Sequence, residues 1–89
     1  MVDRTSSTVF NRSCDPTKIT GKTNASNDDS FVVPYGTLVS CMVCDEDNDD
    51  AIATASVSGS TVTLGLVDDE GAAIVADEDI NFIAEVKYQ

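Results

Sequence analysis

Histidine and tryptophan are absent from this 89-residue chain, and bases are scarce: five Lys and Arg stand against sixteen Asp and Glu, a formal charge of −11 at neutral pH. Without His the commonest general base and the commonest metal ligand are both missing, which leans away from an enzyme. A charge of this size repels nucleic-acid phosphates and opposes binding to anionic membranes. No apolar run approaches the ~20 residues that span a bilayer. The first residues carry no apolar stretch of signal-peptide length. These absences predict a non-catalytic protein without cofactor, nucleic acid or membrane, made in the cytoplasm without a signal peptide.

Cysteine is sparse too, with Cys14, Cys41 and Cys44. An odd number argues against a closed disulfide framework, and reduced thiols are the simpler reading. Cys41-Met-Val-Cys44 has the C-x-x-C spacing, but a redox pair needs a helix N-terminus to lower a thiol pKa. This one lies in a strand-like run, where residues i and i+3 point to opposite faces. Structural zinc would need a fourth ligand. The cysteines therefore read as small apolar residues.

Apolar residues still make up 42% of the chain, within the globular range. One domain of this size hides roughly 60–65% of its unfolded surface, a thin margin that a subunit interface would widen. Residues 1–16 are polar and aperiodic and read as an N-terminal arm, with residues 17–89 as the β domain. Val9 and Phe10 form the arm's only apolar pair. With Tyr35, beside a Pro/Gly turn, they are candidate interface anchors.

The apolar pattern has the period of strands. Ile80, Phe82, Ala84, Val86 and Tyr88 alternate with Asn81, Glu85 and Lys87, broken only by Ile83. Val62, Leu64 and Leu66 share one face of a strand that follows Ser58-Gly59-Ser60, a hairpin loop with Gly available for positive φ. Thr37 to Cys44 is apolar on both faces, which predicts a central strand with Val39, Cys41 and Val43 turned inward. The predicted core is Val39, Cys41, Val43, Val62, Leu64, Leu66, Ile80, Phe82 and Val86. Short strands with polar turns and no helical stripe predict an all-β fold: one β-sandwich, jelly-roll-like or barrel domain of six to seven antiparallel strands with an extended N-terminal arm.

Carboxylates cluster in the turns. Asp45, Asp47 and Asp49 have the spacing that opens a calcium loop, but the sixth position is Asp50 instead of Gly and the twelfth is Ser56 instead of Glu. With Asp68-Asp69 and Asp77-Glu-Asp79 they would make a calcium site only if the loops converge. The plainer reading is solvated turns. Paired-carboxylate catalysis lacks an aromatic platform and a cleft.

The run from Ser30 to Tyr88 has a Phe-Val-Val-Pro-Tyr-Gly opening strand and a Ser/Thr/Val hairpin. An Asp/Gly turn and an alternating final strand follow. In this it resembles the small β-structured virion proteins of tailed bacteriophages, most of all capsid decoration (cement) proteins. The resemblance implies a homotrimer on the outer capsid surface, clamping neighbouring major capsid protein subunits through an arm. The competing expectation is a tail-fibre or other receptor- or carbohydrate-binding module, with acidic loops that hold calcium.

Overall fold

A computed structural model of the chain describes residues 2–12, 17–46 and 51–87. After a single 3-10 turn, Thr5–Ser7, seven strands follow. They are β1 Val9–Arg12, β2 Lys18–Ala25, β3 Ser30–Val32, β4 Thr37–Asp45, β5 Ile52–Ser58, β6 Thr61–Val67 and β7 Glu78–Lys87. All pair antiparallel, in a four-stranded sheet of order β1-β2-β7-β4 and a three-stranded sheet of order β3-β6-β5. The all-β fold expected from the alternation is the fold observed.

The strands form where one face is apolar or small. β7 turns Ile80, Phe82, Ala84 and Val86 inward, each 2% exposed or less. β6 does the same with Val62, Leu64 and Leu66. β2 buries Ile19, Gly21, Thr23 and Ala25 against them. The β2 core face ends in small residues, so composition alone reads Thr23 to Ala25 as loop. Phe31 and Phe82 stack at a centroid distance of 4.8 Å in the middle of the core. The β5–β6 turn is two residues and not the three of Ser58-Gly59-Ser60, because Ser58 pairs with Thr61; Gly59 takes φ 62, a conformation Gly adopts without strain.

Two expectations about β4 are corrected. It is not central but the end strand of its sheet, and its outer face is exposed. Val39 is not in the core either: it is 59% exposed, while Leu38 is buried at 7%. A register shift between Leu38 and Ser40 is the cause. The bulge inserts one residue and flips the alternation. Leu38, Cys41 and Val43 thus share the inner face, with Cys41 and Val43 packed on the core while partly exposed. Residues 72–76, a short apolar run, form no strand and make only an isolated bridge between Val67 and Ala73.

Residues 2–12, expected as an arm reaching for a neighbour, lie on this domain's own sheets. β1 adds to the edge of β2, and Asp3 bridges to Ser30 beside β3. Phe10 packs on the core, with ring centroids 5.8 Å from Phe82, 6.1 Å from Tyr35 and 6.3 Å from Phe31.

Candidate functional site

Asp29 holds the N-terminal segment in place. It is 2% exposed and lies in the β2–β3 connection. Its Oδ2 accepts from Arg4 Nε at 2.8 Å, Ser26 N at 2.9 Å and Ser26 Oγ at 3.1 Å, while Oδ1 accepts from Val2 N at 3.2 Å. Burial alone would push this carboxyl up. The Ser26 amide, the Arg4 guanidinium and the Ser26 hydroxyl outweigh it and hold the group below its ordinary value. The other edge of Arg4 reaches Asp77, with Nη2 to Oδ1 at 2.8 Å. Neither residue carries a sequence signal, because the partners are far apart in the chain.

Strand direction sorts the connections. The β2–β3, β4–β5 and β6–β7 connections fall at one end of the molecule, together with the segment that bridges to Ser30. A backbone bond from Asn27 N to Ile74 O ties the β2–β3 connection to the β6–β7 one, and one from Glu46 N to Asp79 O ties the end of β4 to the start of β7. Every described acidic residue except Glu85 lies in these connections, in the first or last residues of the strands they join, or in that segment. The principal extents are 40 × 22 × 20 Å, so the molecule is elongated and has an acidic pole.

At that pole the β6–β7 connection presents an apolar tip. Val75 is 86% exposed, the most of any large apolar side chain described, and is flanked by exposed Ala72, Ala73 and Ala76. The tip is fixed from behind. Ile74 N donates to Leu66 O at 2.9 Å, Asn27 N donates to Ile74 O at 2.9 Å, and Asp68 N donates to Ala72 O at 2.9 Å.

The outer face of the four-stranded sheet differs in character. Met42 of β4 stands directly opposite Ile83 of β7, and the two are 73% and 54% exposed. With Cys44, Asn81 and the edges of Val43 and Phe82 they line a shallow depression of about 180 Å3. Val39 extends the apolar surface along β4. All three lysines of the chain, Lys18, Lys22 and Lys87, lie on this face and are exposed. Lys22 Nζ pairs with Glu46 at 3.0 Å, and Lys18 stands opposite Glu85. Asp79 and Glu85 stand on the same face of β7, so with Glu46 the three lysines are matched by three carboxylates.

The predicted site residues divide between these regions. Val62, Leu64, Leu66, Ile80, Phe82 and Val86 are core. Phe10 and Tyr35, expected as interface anchors, pack on the core instead, and Val9 is 59% exposed on the outer sheet face. Asp45 ends β4, while Asp47 and Asp49 lie outside the described residues. Among the described residues no three Asp, Glu, Cys or His side chains gather as metal ligands would. Cys44 is exposed and Cys41 half-buried, where burial pushes its thiol up to about 11. Sequence reading missed Met42, Ile83 and Val75, since an exposed apolar residue looks like a core one until the bulge and the loop are placed. No family of proteins, no curated protein and no solved structure matches the chain.

Proposed function

We propose that this protein is a non-catalytic structural part of a virion, a decoration protein that binds the outer surface of a capsid and clamps neighbouring major capsid protein subunits. The observation that carries this reading is the set of large apolar side chains, Val39, Met42 and Ile83, displayed together on the outside of a rigid sheet. Exposed apolar patches on a small domain mark contact surfaces. The sequence resemblance supplies the class of partner. The gathering of acidic connections at one pole favours the second reading, a calcium-dependent receptor-binding module. Co-sedimentation with capsids assembled without this protein tests the two. Saturable binding that persists in EDTA is the expected result. Absence of binding overturns the proposal, and binding abolished by EDTA transfers it to the second reading.

A further inference from the structure

We infer that the outer face of the three-stranded sheet carries a binding site for a neutral sugar, in a trough walled by Asp28, Thr54, Ser56 and Thr63 and floored by Gly65. The inference holds whether or not the protein binds a capsid. Along β6 the buried Val62, Leu64 and Leu66 alternate with Thr61, Thr63, Gly65 and Val67, which face outward. On β5, Ile52 stands opposite Val67, Thr54 opposite Gly65 and Ser56 opposite Thr63. The β2–β3 connection borders the same face, because Asp28 N donates to Leu64 O at 3.0 Å. Gly65 has no side chain, and a trough of about 310 Å3 lies over it. That is the lower end of the ~300–1,000 Å3 usual for ligand sites.

The groups in the trough select the ligand. Among the described residues none of its four polar side chains has a hydrogen-bond partner, so hydroxyls that both donate and accept stand beside a carboxylate. Asp28 is the only described residue other than Gly with positive φ, at 69, and this turn sets it at the wall of the trough. Residues 52–67 contain no charged side chain, in a chain of formal charge −11. An anion is repelled by Asp28 and by the net charge. One carboxylate falls short of the ~6 oxygen ligands that calcium takes. An apolar molecule would strip water from the hydroxyls and replace none of its bonds. A sugar meets each demand. Two adjacent hydroxyls donate to the Asp28 carboxylate in charge-assisted bonds, and others exchange bonds with Thr54, Ser56 and Thr63. Its C–H surface rests on Ile52, which is 53% exposed, and on Val67.

Titration followed by amide NMR tests this, with methyl glucoside, methyl galactoside and N-acetylglucosamine as neutral probes. At least one is expected to give saturable shifts centred on Asp28, Thr54, Thr63 and Gly65 with a millimolar Kd, and glycerol and glucuronate none. Gly65→Ala raises the floor by a methyl group. Asp28→Asn removes the charge and keeps a residue type that tolerates this φ. Both variants are expected to stay folded by thermal melt and to bind the same sugar about tenfold more weakly; if one fails to fold, the other decides. Absence of saturation with every neutral probe overturns the inference. So do shifts that glycerol reproduces, saturation by protonated glucosamine alone, or unchanged affinity in either folded variant.

Discussion

Asp29 shows how much of this fold rests on a single side chain that the sequence does not advertise. A buried carboxylate with four donors is stabilising because each charge-assisted bond is stronger than a neutral one, and the same group left unpaired would be costly. Asp29→Asn keeps the shape and removes the charge, and is expected to cost about 2 kcal/mol at neutral pH. The pH dependence has a definite sign. The folded carboxyl is held below its ordinary value of 3.8, so its contribution is complete above about pH 4 and vanishes as the pH falls through the folded value. Urea denaturation across that range is expected to show the wild type losing its advantage over Asp29→Asn on acidification. An unchanged gap would mean that Arg4 and Ser26 do not favour the charged form. Sequence reading treated residues 1–16 as an arm because Arg4 and Asp29 follow no period. The contact exists only after β2 and β3 have turned the chain.

At the scale of the element, the strands with clean alternation were legible and the irregular one was not. β6 and β7 could be placed from their apolar period, and the β5–β6 turn from its Gly. β4 was misread because the bulge at Leu38/Ser40 changes the phase within an apolar run, where either phase looks sensible. The strand β1 was illegible for a different reason: its seat is made by the absence of a side chain. A Cβ on Gly21 would collide with the backbone oxygen of Val9 and the ring of Phe82. Gly21→Ala is therefore expected to displace β1 and cost ~2–3 kcal/mol. Gly65→Ala is the control, because its Cβ would meet only the side-chain hydroxyl of Thr54. That hydroxyl turns away at little cost, and a strand gains by about 0.5–1 kcal/mol when Gly becomes Ala. Thermal melts of the two variants are expected to move in opposite directions, and equal losses would show that β1 does not depend on the space over Gly21.

The whole molecule combines a thin core with a concentrated charge. The formal charge of −11 was plain from composition, but its gathering at one pole depends on which connections share an end, and that is a property of strand order. Carboxylates crowded at that end repel one another, so screening is expected to stabilise the fold. The melting temperature at neutral pH is expected to climb by several degrees as ionic strength rises from about 0.01 M, with a Debye length of about 30 Å, towards about 1 M, with one of about 3 Å. A flat or falling curve would mean that ion pairs such as Arg4–Asp77 outweigh the repulsion. Strand order has one more consequence, for how the chain is made. β7 lies between β2 and β4 in space, yet it is the last of the seven strands to leave the ribosome. Until it emerges, β4 has no partner in its sheet and β2 has only β1, so Ile19 and Leu38 each lie beside an open edge. The four-stranded sheet therefore closes only after synthesis reaches Lys87, in one late step built from contacts distant in sequence. Topologies of this kind fold on the slow side for their length, and the nascent chain is exposed to aggregation for as long as that step is pending.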